Sequence, residues 1–157
     1  MIRGVKIKKL KVWQDKPDVE PSKIKLGFLM EVLRSDEGLL SKFGQTTFTV
    51  TYKGTIKAFH WHKIQDDLWF IATGRAKIVL HDLRKKSKTY GETQVIKVCP
   101  QKKDYKLILI PKGVAHGYKV ESSEPVLLFY HTTRPYNAKS PDEERIPFDS
   151  KVIGYEW

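Results

Sequence analysis

Apolar and polar residues alternate along most of this chain with a period of two. Val5-Lys-Ile-Lys-Lys-Leu-Lys-Val12 sets the pattern at the start. Side chains two apart share one face of a strand, so such runs read as half-buried strands. Runs rich in Val, Ile, Phe, Tyr and Thr predict strands over 4–13, 27–33, 46–52, 55–62, 67–72, 76–83, 91–97, 105–111, 116–120 and 125–133. Turn signals separate them at Lys53-Gly54, Thr73-Gly74, Tyr90-Gly91, Pro111-Lys112-Gly113 and Ser122-Ser123. Many short strands between turn signals mark an all-β sandwich or barrel. A short helix is expected near 36–42, ahead of Phe43-Gly44. The tail 134–157 has three prolines and no sustained period, so it reads as loop and turn wrapped over the barrel.

Length and composition narrow the class. A chain of 157 residues fits a single domain, 1–157. A chain of this size buries roughly 70% of its unfolded surface, enough for a core without staples. Its 40% hydrophobic content excludes a disordered composition. The lone Cys99 has no internal disulfide partner and reads as a small buried hydrophobe. The N-terminus MIRGVKIKKLKVW is charged throughout and is not a signal peptide. No window nears the roughly 18 apolar residues of a membrane span. The expected setting is cytoplasmic, with no membrane association.

The net charge is +11, from 29 basic and 18 acidic residues. Such a field concentrates anions, phosphorylated small molecules among them. The basic residues are scattered, with small clusters at Lys6 to Lys11, Arg84 to Lys88 and Lys102-Lys103, and match no specific nucleic-acid motif. A well-solvated lysine surface and an attractor of a phosphorylated substrate both fit this distribution.

Two stretches carry candidate chemistry. In Gly54-Thr-Ile-Lys-Ala-Phe-His60-Trp-His62, the two histidines share a strand face and Phe59 and Trp61 take the other. In Pro111-Lys-Gly113-Val-Ala-His116, a strand enters a turn that delivers a third histidine. H-x-H followed about fifty residues later by P-x-G-x-x-H, in an all-β chain, matches the paired motifs of the cupin superfamily. The expected fold is therefore a cupin-type jelly-roll β-barrel.

The resemblance sharpens to one family. Lys57-Ala-Phe-His60-Trp resembles the R-G-x-H-[FY] segment of the dTDP-4-dehydrorhamnose 3,5-epimerases. The run from Gly74 to Gly91, with Asp82, Arg84, Ser87 and Thr89, resembles their G-x-x-x-x-V-x-x-D-x-R-x-x-S-x-T-[FY]-G. Ile110-Pro111-Lys-Gly113-Val-Ala115-His116-Gly117 follows their I-P-x-G-x-A-H-G. Leu128 to Tyr136 resembles L-Y-x-x-T-x-x-Y, and Ile153-Gly-Tyr-Glu-Trp157 resembles I-G-I-x-W. The motifs run in order across almost the whole chain.

The resemblance implies an isomerase acting on a nucleotide-diphosphate 4-keto-6-deoxy sugar, in carbohydrate biosynthesis. His60 would be the base that removes a proton beside the keto group. Tyr130, which shares its strand face with Leu128 and Thr132, would be the acid on the opposite face. A histidine suits a base working near neutrality, and the enolate between the two steps needs a cation or hydrogen-bond donor. Glu31, Gln45, Lys57, His116, Tyr136 and Glu143 carry over as substrate contacts. The family also implies a homodimer and no metal cofactor.

Four positions depart from the family pattern. Leu26, with Lys25 beside it, replaces an arginine. Asp67 replaces the lysine that steadies the enolate, leaving Lys63 to supply charge. His62 replaces a glutamine. The family's catalytic aspartate lies in a segment beyond the last tryptophan, so Asp66, Asp67 or a partner-subunit residue is expected to orient His60. The same departures fit a rival metal-cupin pattern, in which His60, His62, Asp67 and His116 hold one divalent transition metal. A sugar-nucleotide-binding cupin without turnover is a third reading.

Overall fold

A computed structural model describes residues 1–16 and 26–157; Lys25 lies outside them. Among the described residues twelve strands run in chain order: β1 (Lys6–Lys9), β2 (Trp13–Gln14), β3 (Phe28–Leu29), β4 (Gln45–Thr51), β5 (Ile56–Trp61), β6 (Asp67–Thr73), β7 (Ala76–Asp82), β8 (Thr93–Val98), β9 (Lys106–Ile110), β10 (Val114–Val120), β11 (Val126–Thr132) and β12 (Glu144–Arg145). Two antiparallel five-stranded sheets result, ordered β1-β9-β6-β11-β4 and β12-β5-β10-β7-β8, with β2 and β3 paired separately. This is the expected all-β jelly-roll class. Among the described residues no strand ladder joins the two large sheets, so the barrel is not closed.

The strand alternation of the sequence becomes the layering of the molecule. One set of faces packs between the sheets: Trp69 and Ile71 of β6, Ile78 and Leu80 of β7, Ile108 and Ile110 of β9, Tyr118 and Val120 of β10, and Val126 and Leu128 of β11. The outer face of the first sheet carries Leu68, Phe70, Leu107 and Leu109, covered by Met30, Val32, Leu33, Leu39 and Leu40. The outer face of the second carries Phe59, Val79 and Ala115, covered by Ile146, Ile153, Tyr155 and Trp157 from the tail. The tail wraps the sheet as expected.

Some boundaries differ from the sequence reading. The first strand is only Lys6–Lys9, and 27–33 contributes only Phe28–Leu29. The segments beside them act as an apolar cover rather than as ladder. The helix expected near 36–42 is a single 3₁₀ turn, Ser35–Glu37, ended by Gly38 in the left-handed region at φ 58°. The two leucines that follow leave the turn to pack on the sheet, so burial outweighs a helix too short to sustain itself. The tail also adds β12, whose Glu144 and Arg145 pair with Trp61 and His60.

Candidate active site

The core fills one end of the space between the sheets, and polar side chains line the other. Alternation along β4 turns Gln45, Thr47, Thr49 and Thr51 inward and leaves Thr46, Phe48 and Val50 exposed. Thr51 hydrogen-bonds the Tyr118 hydroxyl at 2.7 Å across the two sheets. The Lys57 ammonium donates to the Thr49 hydroxyl at 2.9 Å, again from β5 to β4. Tyr130, on β11 between Thr47 and Trp69, packs half-buried against the main core.

Three histidines enter this end from the second sheet. His60 on β5 lies opposite His116 on β10. His62 follows one residue beyond the end of β5. Phe59 and Trp61 turn to the outer cluster, as the period of two requires.

His60 is half-buried, with its Nδ1 3.8 Å from a carboxylate oxygen of Glu143. That spacing is too long for a hydrogen bond but close enough to steady a protonated ring. Burial holds the His60 pKa below the ordinary histidine value, against the pull of Glu143. Glu143 in turn accepts from Arg145 Nε at 2.9 Å.

His62 and His116 are buried and flank Asp67, which is buried as well. The His62 Nε2 lies 3.6 Å from Asp67 Oδ1, and the His116 Nε2 lies 3.6 Å from Asp67 Oδ2. Gln65 donates to Asp67 Oδ1 at 2.8 Å, and the Trp69 indole to Oδ2 at 3.3 Å. Trp69 also meets the His116 ring edge-on, with centroids 5.2 Å apart. Burial lowers the His116 pKa to about 4. Burial also opposes charge on His62, but Asp67 and the Asp142 carbonyl outweigh it and raise the His62 pKa. Burial likewise works against charge on Asp67, yet the two imidazoles keep its pKa below the ordinary carboxylate value. One donor atom from each of the three residues lies within 4.8 Å of the others. His60 stands outside that set of possible metal ligands.

The remaining expected residues fall in several places. Gln45 Oε1 accepts from the Tyr136 backbone N–H at 2.7 Å, which ties the loop after β11 to the mouth of the polar end. The Tyr136 ring is exposed. Glu31 is partly exposed and pairs with Arg34 at 2.9 Å. Lys63 does not reach Asp67; it is exposed and pairs with Glu144 at 2.5 Å. Neither Asp66 nor Asp67 takes the place expected for it beside His60. Asp66 accepts from the Lys112 backbone N–H at 2.9 Å, and Asp67 serves the other two histidines. The carboxylate next to His60 is Glu143, expected as a substrate contact. The tail carries it there through β12, which pairs only two residues and leaves no periodic signal.

Comparisons with known proteins agree with this architecture. The family model for dTDP-4-dehydrorhamnose 3,5-epimerase matches residues 2–157. The spore coat polysaccharide biosynthesis protein SpsL of Bacillus subtilis is 49% identical over 157 residues, covering 100% of this chain and 97% of that protein. A probable low-salt glycan biosynthesis epimerase, Agl13 of Haloferax volcanii, is 33% identical and covers 89% of this chain and 90% of its own length. Among solved structures, a dTDP sugar isomerase from Desulfovibrio desulfuricans superposes with a TM-score of 0.85 at 26% identity, over 99% of this chain and 92% of that one. A Legionella pneumophila epimerase in complex with dTDP-4-keto-L-rhamnose gives 0.80 at 25% identity, over 98% and 78%. Matched along nearly its whole length, the chain belongs to the dTDP-4-dehydrorhamnose 3,5-epimerase family and is a sugar epimerase or isomerase.

Proposed function

We propose that this protein epimerises a 4-keto-6-deoxy sugar carried on a nucleotide diphosphate, dTDP being the first nucleotide to test. The observation that carries the reading is His60, half-buried between the sheets and backed by Glu143, in a chain matched to the family from residue 2 to 157. The bound dTDP-4-keto-L-rhamnose of the Legionella relative supports the choice of substrate class.

The chemistry runs through side chains of this chain. Neutral His60 removes the proton from the carbon beside the keto group, and electrons move onto the carbonyl oxygen to form the enolate. Burial keeps the ring neutral and ready at neutral pH. Glu143 steadies the imidazolium that forms. Tyr130, from the opposite sheet, returns a proton to the other face and inverts the centre. Lys57 meets a phosphate as a point charge, without the planar fork of an arginine. Gln45, Tyr136 and His116 line the approach to the sugar, and Glu31 is assigned a substrate contact on the family resemblance alone.

The test is hydrogen exchange at the sugar carbons in deuterated water, with dTDP-4-keto-6-deoxyglucose as substrate. Wild type should exchange and release inverted product. His60→Asn should lose at least about 100-fold in exchange. Tyr130→Phe should keep exchange and lose inversion. If the wild-type protein shows no exchange with dTDP- or GDP-linked 4-keto sugars, the reading fails.

A further inference from the structure

The accounting of protons around Asp67 is unusual. The Nδ1 of His116 faces the Val114 carbonyl at 3.0 Å, and the Nδ1 of His62 faces the Asp142 carbonyl. A carbonyl only accepts, so each Nδ1 carries the hydrogen and donates. Each neutral ring then has its lone pair on Nε2. Both of those atoms point at the Asp67 carboxylate, which also only accepts. Two neutral rings would therefore turn acceptors toward acceptors in a buried space, and the conflict is resolved by a positive charge between them, either a proton on His62 or a bound metal ion.

The spacing favours an ion larger than a proton. Each Nε2 stands 3.6 Å from a different Asp67 oxygen, beyond hydrogen-bond length, and one donor atom from each residue lies within 4.8 Å of the others. Ligands at about 2.1 Å in tetrahedral arrangement are about 3.4 Å apart. The outer contacts are those of a metal centre. Each ring is oriented by a hydrogen bond from its other nitrogen, and the carboxylate is held by Gln65 and Trp69.

We infer that His62, Asp67 and His116 bind one divalent transition-metal ion. Two imidazoles and a carboxylate suit Zn²⁺, Fe²⁺, Co²⁺ or Ni²⁺ rather than Mg²⁺ or Ca²⁺. The site needs no sugar nucleotide to take up the ion, and it shares one residue, His116, with the proposed approach to the sugar. His60 adjoins it without belonging to the donor set.

The experiment uses the full chain, stripped with a chelator and titrated separately with Zn²⁺ and Co²⁺. Calorimetry should give one equivalent, and bound Co²⁺ should show visible d–d absorption with two hyperfine-shifted imidazole N–H protons by NMR. Asp67→Asn and His116→Gln should each weaken binding by at least about 100-fold, and His60→Asn should bind as wild type does. The two shifted N–H signals come from the wild-type protein, so they decide the matter even if a variant fails to fold. No saturable binding by wild type would overturn the inference and leave a buried ion pair sharing one proton. Binding unchanged in both variants, or Co²⁺ bound without two shifted imidazoles, would also overturn it. None of these readouts uses substrate, so they stand or fall independently of the exchange assay.

Discussion

At the scale of single residues, Asp82 explains why the D-x-R-x-x-S-x-T motif resembles a signature without being a reaction centre. Its fully buried carboxylate accepts from the Arg84 backbone N–H at 3.0 Å, from Arg84 Nε and Nη2 at 2.8 Å each, and from the Thr89 hydroxyl at 2.6 Å. Arg84 also donates to the Arg3 carbonyl at 2.6 Å, clasping the N-terminus to the turn after β7. Burial opposes the charge on Asp82, but these donors outweigh it and hold its pKa well below the ordinary carboxylate value. A depressed carboxylate contributes stability in full above its unfolded pKa and loses it as the pH falls below that value. Asp82→Asn should therefore cost about 2 kcal/mol at pH 7. Its stability should also fall less steeply than that of wild type from about pH 4 downward. Equal acid slopes in parallel denaturant titrations would remove Asp82 from this role.

At the scale of elements, the close approach of β5 and β10 sets where the histidines stand. The register between them shifts at His116 and Tyr118, and Gly117 lies in that shift. A Cβ added to Gly117 would fall 2.3 Å from the Ala58 Cβ and 2.7 Å from the Lys57 carbonyl oxygen. Backbone can give way there only by separating the strands. Gly117→Ala should lower stability by about 1–3 kcal/mol, read from its thermal midpoint, and reduce exchange activity because His60 and His116 face each other across this ladder. A variant with wild-type midpoint and activity would show that the approach is not needed. Most strands were legible in the sequence because each buries one face and so alternates. β12 was not. Two residues hold no period, and that pairing brings Glu143 beside His60.

At the scale of the whole molecule, the two sheets carry a filled apolar end and a polar end. Strand edges and apolar surface remain at the periphery. β1 and β4 bound the first sheet, with Phe48 50% and Val50 39% exposed beside the β4 edge, and with Trp13, Phe28 and Leu29 exposed near the N-terminus. Open edges and exposed apolar strands are commonly covered by pairing. We propose a homodimer that covers this surface. Sedimentation equilibrium should return twice the 18.3 kDa chain mass; an 18 kDa species at tens of micromolar would contradict it.

Local pattern by itself determined the all-β class, the order of the strands and the shared face of His60 and His62, because alternation and side-chain period are properties of neighbouring residues; that this face turns inward was decided by the packing of the two sheets. The family motifs, which run in order along the chain, were equally readable there. The partner of each polar group was decided only by tertiary structure. Asp67 lies five residues from His62 and forty-nine from His116, yet it is buried between them, while Glu143 reaches His60 from the far end of the chain. Burial and long-range pairing set those contacts, and neither is encoded in the spacing of residues along a strand.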